Sequence, residues 1–199
     1  MSEIAKLDPD RVREIVAGFP ESAGWKTFKC SALVTSDRAI KLGKRDWSLL
    51  EHCKDQGGVY AFIFPGDIFS ARKNPQPINL HAPMAGGAKQ TIPFAVETHQ
   101  DLLLKDGRMV VYIGSSADLL GRIQGHFGAG EKSTLTQVRN GLVNSGVCDT
   151  TENAVKYMLT HATLVYTMLP GDVNVANRDI IEVSLWGKYM TPFNIKSEH

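Results

Sequence analysis

The stretch Val110-Val111-Tyr112-Ile113-Gly114-Ser115-Ser116-Ala117-Asp118-Leu119-Leu120-Gly121-Arg122-Ile123-Gln124-Gly125-His126-Phe127 decides how the chain is read. Met109 to Ile113 form a short apolar run bounded by turn signals, which predicts a buried strand. Gly114 allows a sharp turn, and Ser115 or Ser116 can cap the helix that follows. Arg122 and His126 are four residues apart and share one face of that helix. Tyr112 ends the strand beside the same face. A phenol, a guanidinium and an imidazole would then converge at a strand-to-helix junction. The set suits a phosphodiester, because arginine grips a phosphate with two parallel donors and histidine moves protons near neutral pH.

Outward from this centre, the elements are mixed. Asp8 and Pro9 open a helix over residues 8–19 whose apolar stripe is Val12, Ile15, Val16 and Phe19. Trp25 to Val34 alternates as a strand. The charged segment Lys41 to Asp55 is partly helical, with a solvated mixed-charge face. Gly57 to Pro65 is a second buried strand, opened by glycines and stopped by proline. Residues 66–99 read as a long irregular loop, of the kind that is functional or disordered. Leu102 to Leu104 form a short strand, and Asp106-Gly107 is a hairpin turn signal. Ser133 can cap a helix reaching Val143, and Asp149 with Glu152 form a capping box for a helix to His161. Ala162 to Leu169 is a further strand. Ala176 to Met190 is an amphipathic helix with Ile180, Ile181, Val183, Leu185 and Trp186 on its apolar side. Strands and helices without regular alternation predict an α+β fold.

Composition bounds the function. The chain has 199 residues and a net charge of +1, so it lacks the basic footprint of a general nucleic-acid binder. A DNA enzyme with its positive charge concentrated in one cleft stays compatible. Cys30, Cys53 and Cys148 are odd in number, widely separated and without metal-ligand spacing, which reads as reduced thiols in a cytoplasmic protein. The first residues show no signal-peptide pattern, and no apolar run approaches the ~18 residues of a membrane span.

Two short motifs, Gly58-Val59-Tyr60 and Tyr112-Ile113-Gly114, are followed by Ser115, Arg122, His126, a helical Glu182 and the ending Pro192-Phe193-Asn194. In this order they resemble the GIY-YIG nuclease superfamily. The resemblance implies a small three-stranded antiparallel sheet carrying both tyrosines and flanked by helices. It covers Gly57–Tyr60, Val110–Phe127 and about Ala162–Asn194. Val59 replaces the isoleucine of the family motif, and about 50 residues separate Tyr60 from Tyr112. The chain therefore reads as one elaborated domain. Residues 1–55 form an N-terminal extension, and the core of 56–199 carries insertions at about 65–100 and 128–160. Such elaboration is most similar to the type II restriction enzymes of the superfamily.

The resemblance further implies one Mg²⁺ on Glu182, with Mn²⁺ as a possible substitute. Tyr60 would be the general base, its anion favoured by Arg122, the metal or His126, or its proton taken by His126. Arg122 would clamp the scissile phosphate, Tyr112 would orient the attacking water or bond the phosphate, and Asn194 would steady Glu182 or its neighbours. Products would carry 5′-phosphate and 3′-hydroxyl ends. A sequence-specific endonuclease acting on double-stranded DNA implies a homodimer, since a palindromic site calls for a two-fold axis. Residues 66–99 or 128–150 would then reach base edges. Two alternatives are a less specific nuclease of the same fold in repair, phage defence or a mobile element, and a DNA-binding module that has lost catalysis. Taken one at a time, the site residues have ordinary structural readings: strand tyrosines, a core histidine, Arg122 paired to Asp118, Glu182 paired to Arg178 or Lys188. His52, His81, His99 and His161 read as structural, and Lys132, Arg139 and Lys156 as a solvated face in preference to a DNA-facing patch.

Overall fold

The computed structural model describes residues 6–34, 36, 45–70, 78–83, 89–94, 103–128 and 136–194. The strands are β1 (Lys26–Lys29), β2 (Gly58–Pro65), β3 (Ile78–Pro83), β4 (Lys89–Phe94), β5 (Arg108–Ser116) and β6 (Thr163–Met168). The α-helices are α1 (Pro9–Gly18), α2 (Leu119–Phe127), α3 (Gln137–Asn144), α4 (Thr151–His161) and α5 (Val175–Tyr189). Short 3-10 helices span Cys30–Leu33, Trp47–Cys53 and Asp172–Asn174. The fold is α+β, as its mixed elements predict. Among the described residues no helix is long and apolar enough to cross a membrane.

The main sheet is antiparallel in the order β1-β6-β2-β5, so it has four strands where three are expected. The extra strand comes from the segment 25–34, of which only Lys26–Lys29 forms strand. It pairs along β6 from Lys26↔Tyr166 to Lys29↔Thr163, and the chain then tightens into the helix Cys30–Leu33. Residues 78–94, expected to be irregular, hold a separate two-stranded antiparallel sheet, β3-β4, with Leu80 opposite Ile92. The short strand expected at Leu102 to Leu104 does not form at Leu103 and Leu104, which lead into the Asp106-Gly107 turn. Gly107 takes a positive φ of 78° there, a conformation without steric cost only for glycine. Leu102, His99, Lys132 and Ser133 lie outside the described residues.

Sheet faces follow the two-residue alternation of strands. On one side Tyr60, Phe62, Phe64, Tyr112, Leu164 and Tyr166 pack with Leu119, Ile123 and Phe127 of α2, Val138 and Leu142 of α3, and Met158 of α4. On the other, Val59, Ala61, Ile63, Ile113 and Val165 pack with Val12 and Ile15 of α1 and Ile181 and Leu185 of α5. Ile180 and Val183, expected on the apolar face of α5, are exposed. The buried positions are instead Asn177, Arg178, Ile181, Glu182, Leu185 and Tyr189. The helix thus turns polar residues inward at its N-terminal half, and an apolar count alone misplaces its inner face.

Caps also differ from expectation. The cap of α2 is Asp118, whose carboxylate accepts from the Gly121 N–H at 3.0 Å. Ser116 braces Asp118, donating to its carbonyl at 2.8 Å and accepting from its N–H at 3.1 Å. Helix α4 is capped by Thr150, not Asp149.

Candidate active site

Strand β2 brings Tyr60 opposite Gly114 and Phe62 opposite Tyr112 on β5. A register shift follows, because Ile63 pairs with Val110 and leaves Val111 as an extra residue in β5. Val111 and Tyr112 therefore both lie against the first core, the signature of a β-bulge that re-aims a side chain. Tyr112 lies mid-strand, since β5 runs on to Ser116. Gly114 belongs to the strand as well, not to a turn. A Cβ there would stand 2.8 Å from the Tyr60 hydroxyl oxygen and 3.0 Å from the Tyr112 ring. The glycine is what lets the two phenols close over the strand.

The start of α2 is tied to the same place. The Leu119 N–H donates to the carbonyl of Gln56, just before β2, at 2.8 Å. One turn later Arg122 and His126 follow on the inner side of the helix. His126 Nε2 and Tyr60 Oη share a hydrogen bond of 2.7 Å. The imidazole is enclosed edge-on by Tyr60, Phe62 and Tyr112, with ring centroids at 5.5, 5.0 and 5.0 Å. Its Nδ1 is buried and has no hydrogen-bond partner. Tyr60 and His126 are both fully buried, while Arg122 is partly exposed.

Electrostatics couples the remaining groups. Burial lowers the His126 pKa from 6.5 to about 3, helped by the charges of Arg122 and Arg139. The ring is therefore neutral at physiological pH. Burial pushes the Tyr60 phenol well above its usual range; Tyr112 and the charge of Glu182 push the same way, and Arg122 pulls it back. The phenolate expected from a neighbouring cation is thus not preformed. Glu182 is buried on α5, whose Ile181 and Leu185 pack on the opposite face of the sheet, yet its charge reaches Tyr60.

Asn194 reaches the backbone of β5. Its Nδ2 donates to the Ile113 carbonyl at 2.6 Å, and its Oδ1 accepts from the Ile113 N–H at 2.9 Å and from Thr191 Oγ1 at 2.5 Å. Together with the Phe193 N–H, which donates to the Val111 carbonyl at 2.9 Å, it closes the outer edge of β5 beside Tyr112. Its geometry is that of a positioning residue.

Comparison with known proteins gives no further handle. No protein-family model, no curated protein and no solved structure matches the chain. The site has to be read from its own atoms.

Two features were not legible in the sequence. His52, exposed at the end of a 3-10 helix, bonds Tyr166 Oη through Nε2 at 2.8 Å, and Tyr166 is the register partner of Tyr60 on β6. Arg139, read as part of a solvated face, is buried and donates from Nη1 to the Gly128 carbonyl at the end of α2. Neither has a local motif, since each depends on a contact between distant segments. Arg178 donates to the carbonyls of Leu169 and Gly171 at 2.7 and 3.0 Å. Lys156 pairs with Glu152 at 2.7 Å. The three cysteines are unpaired thiols in the interior, and burial raises Cys30 to about 12 and Cys148 to about 11. Values that high mark unreactive thiols.

Proposed function

We propose that the chain is a GIY-YIG-type, Mg²⁺-dependent endonuclease acting on double-stranded DNA, of the type II restriction kind. The observation that carries this reading is the Tyr60–His126 hydrogen bond, set beside Tyr112 and within the electrostatic reach of both Arg122 and Glu182.

Glu182 is the one carboxylate of this set, and among the described residues no group of three or more His, Cys, Asp or Glu could hold an ion. That donor set suits a hard cation that keeps most of its water, as Mg²⁺ does, and does not suit zinc. Bound there, the ion would supply charge for the phosphorane and the departing oxygen. The chain's own residues would do the rest. Arg122, partly exposed, clamps the scissile phosphate. An attacking water gives its proton to the Tyr60 oxygen while the Tyr60 proton passes to His126 Nε2, which requires the tautomer with its proton on Nδ1. The 3′ oxygen leaves and takes a proton from water, and the 5′ end keeps the phosphate. A neutral phenol beside a neutral imidazole makes such a relay better matched to the site than a free phenolate. The arriving phosphate charge offsets the cations that depress His126, so substrate itself raises the acceptor's basicity. Tyr60 is shielded from solvent as described, so this chemistry also needs substrate to uncover it. A palindromic site would bring two chains together as a homodimer.

The test is incubation with plasmid and phage DNA in Mg²⁺ or EDTA. Discrete metal-dependent fragments are expected. A metal-dependent smear would favour a less specific nuclease, and binding without cutting on any DNA would reduce the chain to a binding module. Glu182→Gln should abolish cutting and leave DNA binding largely intact; cutting at the parental rate would remove Glu182 from the chemistry. Arg122→Ala should lower kcat by about 10²–10³-fold, the usual loss for a donor that stabilises transition-state charge. A loss confined to DNA affinity would make Arg122 a positioning residue.

A further inference from the structure

Guanidinium groups from three separate segments lie along α2 and at its C-terminal end. Arg122 lies one turn before His126 on the helix itself. Arg139 arrives from α3 and holds the Gly128 carbonyl, the C-cap of α2. Arg45 arrives from the segment ahead of the 3-10 helix Trp47–Cys53 and lies over the Phe127 ring, with Cζ 5.9 Å from its centroid. The neighbouring carboxylate of Asp46 is turned into the cap of that 3-10 helix, accepting from Ser48 N at 3.0 Å and Ser48 Oγ at 2.5 Å.

One arginine at a helix C-terminus has a sufficient structural reason, because cations there complement the helix dipole. Arg139 fills that role through Gly128. Arg45 is a second cation at the same end, and its Nε is buried without a hydrogen-bond partner. A guanidinium laid over an aromatic ring keeps its donors directed along its own plane, the geometry that meets a phosphate. The buried Nδ1 of His126, also without a partner, lies in the same neighbourhood. Burial lowers the pKa of both Arg139 and His126, and the nearby charges add to it: Arg45 acts on Arg139, and Arg122 with Arg139 acts on His126. Like charges held this close favour an anion among them.

We infer that Arg45, backed by Arg139, forms a second phosphate seat at the C-terminal end of α2, which takes a DNA backbone phosphate other than the scissile one. The inference rests on the endonuclease reading for the identity of the anion, and on the guanidinium cluster alone for the seat.

The experiment has two arms, both with Arg45→Gln and Arg45→Lys against the parent chain. In the first, duplex DNA binding is measured in EDTA across a salt series, so that no cleavage intervenes. The slope of log K against log salt should fall in magnitude by about 1 in Arg45→Gln, with affinity about 5–10-fold weaker, as for one lost phosphate contact. Arg45→Lys should keep most of the slope. In the second arm, inorganic pyrophosphate should raise the Tm of the parent and of Arg45→Lys, and not that of Arg45→Gln. An unchanged slope together with an unchanged pyrophosphate response in Arg45→Gln would overturn the seat, and so would an Arg45→Gln chain that fails to fold without ligand. Failure of the endonuclease reading looks different. A chain that never cuts DNA but shows the Arg45-dependent pyrophosphate response keeps the anion seat and loses the nuclease. Metal-dependent cutting with the parental slope in Arg45→Gln keeps the nuclease and loses the seat.

Discussion

His126 shows how one buried ring ties stability to pH. Its pKa is about 3 in the folded chain against the ordinary 6.5, so the unfolded chain binds more protons between those limits. Stability should be flat above about pH 6.5 and fall as pH drops toward 3, by as much as about 4–5 kcal/mol from this group. Urea midpoints measured from pH 7.5 to 4 check this, and His126→Gln should flatten that limb of the curve. A slope unchanged in the variant would place the proton uptake elsewhere. At Gly114 the constraint is steric. Gly114→Ala drives a methyl into the Tyr60 hydroxyl and the Tyr112 ring, and should cost about 1–3 kcal/mol as overpacking does. It should also impair cutting more than its stability loss explains, because the contact it disturbs is the Tyr60–His126 pair. The sequence places Tyr112, Arg122 and His126 near one junction, and in the fold the rings of Tyr112 and His126 meet there together with Tyr60, with the charge of Arg122 in reach. It cannot show that Tyr60 is neutral, since burial at 0 % exposure is a property of the assembled core and not of the motif.

At the scale of elements, periodicity read β2, β5, β6, α1, α2 and α4 within a few residues. The exceptions have physical causes. Ser115 and Ser116 precede α2 as caps should, but Asp118 stands closer to the first turn and its carboxylate wins. Asn194 cannot be assigned by spacing, because its role depends on reaching back 81 residues to Ile113. Asn194→Ala would leave the buried N–H and carbonyl of Ile113 without these partners and should destabilise the chain by about 2–4 kcal/mol. Thermal unfolding reads the loss, and hydrogen exchange at the Ile113 amide should speed up before the sheet centre responds. An amide as protected as in the parent would show that water or another donor takes the place of Asn194.

For the whole molecule, the fourth strand and the β3-β4 hairpin mark two kinds of addition. Strand β1 extends the main sheet and brings α1 over its second face, so it is part of the core. The hairpin forms its own sheet with its own register. Replacing residues 78–94 by a short glycine-serine loop should leave Tm within a few degrees of the parent while changing DNA affinity or the sites cut. A collapsed melting transition would show the hairpin to be structural. Only chain-distant pairings separate the two cases, which is why the N-terminal extension and the proline-rich segment looked equally peripheral in sequence.

The partners of the main sheet come from far along the chain. Strand β1 is made early and has to wait for residues 163–168, and the open flank of β5 waits for residues 191–194. At ~5–20 residues per second the ribosome takes roughly 7–30 seconds to deliver the later segments. From the completion of β5 until residues 163–168 arrive, the paired tyrosines lie on a sheet with both borders bare. Nascent chains halted before residue 190 should therefore be captured by chaperones and digested readily by protease, and competence should arrive abruptly with residues 191–194.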